Sequence, residues 1–129
     1  MRTYHHLGIP TTEPHLGERH LAGLGVHVAG FESSPYGIEW MRFDPDCAVP
    51  DVVRRVPHVA FEVDDLDAEL AGKDLLIAPN SPSPGVRVAF IIDDGAPVEL
   101  LELDAVARRD LSRRGRGGGF REASDREVR

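Results

Sequence analysis

The sequence predicts an α+β domain assembled from two similar halves. Three observations point to it. Two Pro-rich breaks, DPDCAVPD (44–51) and APNSPSPG (78–85), interrupt the chain. The first falls near the middle of residues 1–103, and the segments on its two sides run in the same order. Within those segments apolar and polar residues alternate with the period of two that marks a half-buried strand.

The first half opens with a strand, YHHLGIP. Pro14 suits the first turn of a helix over Leu16–Leu24, and Gly25 would stop it. Two strands, VHVAGF and YGIEWMRF, follow. In the second half, Val59, Phe61 and Val63 alternate with His58, Ala60 and Glu62 along one strand. Asp64 or Asp65 can cap a short helix at Leu66–Leu70, with Gly72 at its end. Asp93, Asp94 and Gly95 then form a turn between strands Val86–Ile92 and Val98–Leu103. Each half therefore reads strand, helix, strand, strand, and repetition of this kind sets an architecture.

Composition narrows the function classes. The 129 residues are 41% apolar and 29% charged, as in an ordinary soluble domain. No apolar run approaches the ~18 residues of a membrane span. The N-terminus MRTYHHLGIP lacks the layout of a signal peptide. Cys47 is the only cysteine, which excludes an intramolecular disulfide and makes the cytoplasm the expected compartment. Its acidic neighbours, Asp44, Asp46 and Asp51, disfavour a reactive thiolate. The net charge of −7 divides unevenly. Residues 104–129 carry eight Arg and five acids, so the body is strongly acidic and DNA binding by it is disfavoured. The Arg/Gly-rich tail, 105–129, has too little apolar surface to offset ordering entropy and is expected to be disordered.

Strand parity sorts the side chains by face. Leu7 and Ile9 oppose His6 and Gly8; Ile38 and Trp40 oppose Glu39 and Met41; Val98 and Leu100 oppose Glu99 and Leu101. Each of these strands has an apolar face for packing and one metal-competent residue on the other. His6 in HLGI corresponds to His58 in HVAF, and Glu39 in GIEW corresponds to Glu99 in PVELL. The same parity turns His5 to the helix side. His15 and His20 read as helix-surface residues, and His27 has no counterpart in the second half.

With HLGI, IEW, HVAFEVDDLD and VELLEL in this order, residues 3–104 resemble the vicinal oxygen chelate superfamily. That group includes glyoxalase I, methylmalonyl-CoA epimerase, extradiol dioxygenases and the bleomycin resistance proteins. The resemblance implies two βαβββ modules, about 3–44 and 56–104, in a single domain spanning 1–104. Their curled mixed sheets would form a metal-binding cup, the glyoxalase/bleomycin resistance fold. It implies a divalent metal, Zn, Ni, Co, Mn or Fe, held by His6, Glu39, His58 and Glu99. It also implies a small-molecule substrate with vicinal oxygens and a homodimer.

An open N/O ligand set is catalytic in character, because the ion can polarise a carbonyl and stabilise an enolate. A neighbouring carboxylate then moves the proton. In the resemblance to glyoxalase I, Glu99 or Glu39 would be that base. Glu62, two residues beyond His58 on the same face, reads as a further acid/base, as a hydrogen-bond partner of a ligand, or as a rim carboxylate. Arg87 is the only cation central to a predicted strand of the second module, and Lys73 lies at its helix end. The expected activity is a glyoxalase-like lyase, isomerase or epimerase. The alternatives are an Fe(II) dioxygenase of the same superfamily and a ligand-binding, resistance-type protein.

Overall fold

One antiparallel pair organises the molecule. In the computed structural model, which describes residues 1–116, β1 (Arg2–Pro10) lies against β5 (His58–Val63) at the centre of an eight-stranded sheet. Outward from β1 come β4 (Ile38–Phe43, parallel), β3 (Val26–Ala29) and β2 (Arg19–Leu21). Outward from β5 come β8 (Ala96–Leu103, parallel), β7 (Val86–Asp93) and β6 (Asp74–Ser83). The order β2-β3-β4-β1-β5-β8-β7-β6 thus repeats one four-stranded pattern on both sides of the centre. The mixed sheet curls into a half-barrel, the glyoxalase/bleomycin resistance type of fold.

On the convex side, helix α2 (Leu66–Leu70) covers the second half. Five residues are too few to hold a helix alone. Asp65 caps it by accepting from the Ala68 N–H at 3.2 Å, and packing does the rest. Leu66 is fully buried among Val63, Ala89, Ile91 and Leu100. Leu66→Ala is expected to destabilise the chain by about 3 kcal/mol, measured by urea denaturation. The turn joining β7 to β8 is Asp94-Gly95, both with positive φ (52° and 86°), which suits the twist of a two-residue hairpin.

The predicted helix over Leu16–Leu24 does not form. Residues 19–21 are strand β2, paired Arg19↔Val28, His20↔His27 and Leu21↔Val26 across a turn that ends at Gly25. Pro14, Gly17, Gly23 and Gly25 depress helix propensity there, and strand pairing with β3 satisfies the backbone instead. The first half is therefore four strands with no α-helix, only a single 3-10 turn at Phe31–Ser33 between β3 and β4. Its convex face receives the β1–β2 loop, whose His15 stacks on Trp40 with centroids 4.8 Å apart.

Three further segments differ from the sequence reading. The first Pro-rich break leads into a one-and-a-half-turn helix, α1 (Asp51–Arg55), with Asp51 in its first turn, Arg54 and Arg55 in its last, and Val53 buried. The second break is largely strand. β6 runs through Pro79 and Pro82 because it is an edge strand, and three register shifts take up the irregularity. The tail, expected to be disordered from 105 onward, begins as α3 (Ala105–Arg116), where Asp104 accepts from the Ala107 N–H at 2.9 Å. The remainder of the tail lies outside the described residues. Among those described, no helix is long and apolar enough to cross a membrane.

A candidate metal centre in the cup

Register brings four chemically competent residues to the concave face in two rows. Glu39 on β4 pairs with Gly8 on β1, and Gly8 with His58 on β5. One row along, His6 on β1 pairs with Ala60 on β5, and Ala60 with Glu99 on β8. The middle position of each row is small, Gly8 or Ala60, so the four larger side chains can lean together. An ideal Cβ on Gly8 would lie 2.2 Å from His58 Cε1: the imidazole occupies the space a side chain would need.

The tips converge. His58 Nε2 is 3.0 Å from Glu99 Oε1, and His6 Nε2 is 3.2 Å from the same oxygen. Donor atoms of His6, His58 and Glu99 all lie within 4.8 Å of one another. Glu39 stands at the side of this trio, its Oε1 3.6 Å from His6 Nε2. His6 and His58 are buried, with 5% and 1% of their surface exposed. His58 Nδ1 is buried without a partner, so Nε2 is the nitrogen that meets the cluster.

Burial and charge compete at each group. Burial alone would raise Glu99, yet hydrogen bonds from His58 and His6 hold its carboxyl down at about 2. Burial would lower His6, but the hydrogen bond and charge of Glu99, with Glu39 behind, raise it above 6.5. Burial wins at Glu39 and lifts its carboxyl above the usual carboxylate range.

His5 is where parity fails. Between Tyr4 and His6 the β1–β5 register slips by one residue, a bulge at His5. Instead of facing the convex side, His5 sets its Nδ1 2.8 Å from His6 Nδ1 and stacks on Phe31. Burial, with His6 beside it, lowers its pKa to about 4, so it is neutral, and a single hydrogen bond joins the two Nδ1 atoms. That contact engages His6 Nδ1, orients the ring and leaves Nε2 facing the centre.

The other candidates fall elsewhere. Glu62 shares the face of His58, but its carboxylate is ion-paired with Arg108 of α3, at 2.7 Å from Nε, and stands outside the trio. Arg87 points away from the cup and is bound to Asp67 and Glu102, and Lys73 bonds the Glu69 carbonyl. His20 is a strand residue of β2 and His15 a loop residue, neither on a helix.

Above the trio the wall is apolar: Leu21, Val28, Met41, Phe43, Val88 and Phe90 enclose about 770 Å³ of free space, counting the open mouth. Arg19 on β2 and Asn80 on β6 are the polar additions to that wall. Arg19 makes no ion pair or side-chain hydrogen bond with the described residues. Sequence reasoning missed His5, because a bulge leaves no period-2 signature, and Arg19, because its segment reads as helical.

No family model matches the sequence, and no curated protein matches it. Solved structures do resemble it. Hypothetical protein BH1468 from Bacillus halodurans C-125 superposes with a TM-score of 0.60 at 20% identity, over 78% of this chain and 94% of that one. Methylmalonyl-CoA epimerase from Mycobacterium tuberculosis, a vicinal oxygen chelate protein, superposes with a TM-score of 0.58 at 20% identity, over 83% of this chain and 91% of that one. At this identity the likeness is one of fold. The chain has the fold of the vicinal oxygen chelate proteins, with His/Glu groups suited to a metal in its cup.

Proposed function

We propose that the cup holds a divalent ion on His6, His58 and Glu99, and that the chain removes and returns a proton beside a carbonyl, as a lyase, isomerase or epimerase. The observation that carries this reading is the convergence of those three donors at the buried floor of an apolar cup. The donor set fits: two imidazoles and a carboxylate, with one imidazole fixed from behind by His5. A bound ion would supply Lewis acidity toward a substrate oxygen, stabilising charge that develops on it.

The chain's own residues divide the remaining tasks. Glu99 is committed to both imidazoles, whereas Glu39 lies beside the trio with its pKa raised toward the range of a useful base. Glu39 is therefore the proton carrier, taking the proton from the carbon next to the carbonyl and returning it. The apolar wall excludes water from the carbanion so formed. Arg19, at the mouth, meets an anionic group. The substrate class is a vicinally oxygenated molecule with an apolar body and a carboxylate or similar anion. Exchange of the α-proton for deuterium in D2O, followed by NMR over a panel of 2-hydroxy ketones and 2-oxo acids, tests this. Metal-loaded wild type is expected to exchange at least one of them, and Glu39→Gln to slow the exchange by ~10²-fold or more. Exchange that is undiminished in Glu39→Gln removes Glu39 from the reaction.

Metal uptake carries a pH signature. A ligand imidazole must be neutral, and the neighbouring carboxylates raise His6 above 6.5. Below that raised value metal competes with a proton, so affinity in the cup should rise as pH climbs through the ordinary imidazole range and level off only above the raised pKa of His6. Titrations at a series of pH values check it; affinity that is flat or falls with pH contradicts the assignment of His6.

A second reading has one specific observation in its favour: the compact trio is two His and one carboxylate, the set used by non-haem Fe(II) oxygenases. Oxygen uptake by the iron-loaded chain with catechol-type substrates distinguishes it from the first.

A further inference from the structure

A second group of metal-competent side chains stands on the opposite face of the sheet. On the β2–β3 hairpin, Arg19, Leu21, Val26 and Val28 line the cup, so the alternate positions, His20 and His27, point off the convex side. The two histidines are direct cross-strand partners, with rings stacked at 4.1 Å and 11°. Asp44, just past the end of β4, reaches both: its Oδ2 is 2.9 Å from His20 Nε2 and its Oδ1 3.0 Å from His27 Nε2. The Asp44 N–H bonds the Gly25 carbonyl at 2.8 Å, which ties the carboxylate to the hairpin turn.

From this placement we infer that His20, His27 and Asp44 form a second divalent-metal site, for zinc or a similar N/O-binding ion, that clamps the edge hairpin of the sheet. All three donor atoms lie within 4.8 Å of one another. Separations of 2.9–3.0 Å are near those of adjacent ligands on an ion with bonds of ~2.1 Å, so assembly needs only small side-chain rotations. Charge favours a cation there. Arg42, the cross-strand partner of His27 on β4, is committed to Glu18 through two hydrogen bonds of 2.9 and 2.6 Å. Asp44 turns one carboxylate oxygen to each imidazole. The Glu18 carboxylate also stands 3.8 Å behind His27 Nδ1, the side from which a carboxylate orients a ligating imidazole. His20 is 45% exposed in its side chain, so an ion can enter from solvent and complete its coordination with water. The clamp bears on the cup, because Arg19 and Leu21 sit on the same short strand as His20.

This inference is independent of the reading of the cup, and zinc titration separates the two. The probe is Zn(II) added by calorimetry to the untagged full chain, to a His58→Ala/Glu99→Gln variant, and to the same variant with His20→Gln and His27→Gln added. The cup-disabled variant is expected to bind one zinc per chain and to melt at a higher temperature with zinc than without it. Adding His20→Gln and His27→Gln should abolish both effects, and Asp44→Asn alone should weaken them. Circular dichroism of the metal-free proteins confirms that each variant is folded. For a variant that does not fold, broadening of the His20 and His27 ring resonances by Cu(II) in the wild type takes its place. A folded cup-disabled variant that binds no zinc overturns the inference. So does zinc binding that persists after both hairpin histidines are replaced, or an absence of broadening at His20 and His27.

Discussion

His58→Ala is expected to empty the cup of metal while leaving the chain folded. A structural zinc site draws ~10–16 kcal/mol from about four ligands, so one ligand accounts for ~3 kcal/mol, or a ~10²-fold loss of affinity. The loss should be sharper than that, because His58 also positions Glu99: its Nε2 lies 3.0 Å from the carboxylate oxygen that His6 shares. The metal-free fold loses less. His58 already carries a buried nitrogen without a partner, and removing it relieves that cost while leaving a small cavity beside Phe90. Metal titration together with thermal denaturation should therefore show a large change in the first and a modest change in the second. A variant that binds metal like the wild type would take His58 out of the centre.

Gly8→Ala is expected to do nearly as much without removing any ligand. The added Cβ would lie 2.2 Å from His58 Cε1 and 2.7 Å from each ring nitrogen, far inside contact distance. The imidazole has nowhere to retreat. Its side chain is fully buried, Phe90 lies at 5.0 Å on one side and His6 at 5.4 Å on another. Overpacking of this kind costs ~1–3 kcal/mol, and the ring shift that relieves it breaks the alignment with Glu99. Affinity for metal should fall about as far as in His58→Ala, with a visible drop in melting temperature. Gly23→Ala is the control: nothing lies within 4 Å of its Cβ position and its φ is not positive, so it should behave as wild type. Normal metal binding in Gly8→Ala would mean that the ring can move freely and that the row Glu39–Gly8–His58 is not a constrained one.

The glycine in HLGI shows how the sequence carries the site. The four expected ligands lie on regularly paired stretches of strand, His6 just past the bulge, where parity puts them on the concave face, and the pairing of the two halves brings them together. What parity cannot supply is the role of Gly8 and Ala60, which depends on which residues become cross-strand neighbours. The same limit hid His5, since a bulge at one residue reverses the face that alternation assigns to it. The hairpin of β2 and β3 escapes sequence patterning for a different reason. Its three-residue strand is shorter than any periodic signal, and the mixed polar and apolar residues around it fit a helical stripe equally well. The helical pattern there hides both Arg19 and the pairing of His20 with His27. Leu66–Leu70, in contrast, was legible to the residue, because an Asp cap and a following glycine mark both ends locally.

The central claim is that His6, His58 and Glu99 hold one divalent ion in the cup. Titration of Zn(II) into the untagged chain bearing His20→Gln and His27→Gln, which silences the hairpin, tests it most directly. The predicted result is one equivalent bound per chain, lost when Glu99→Gln is added. No uptake, or uptake indifferent to Glu99→Gln, would contradict it.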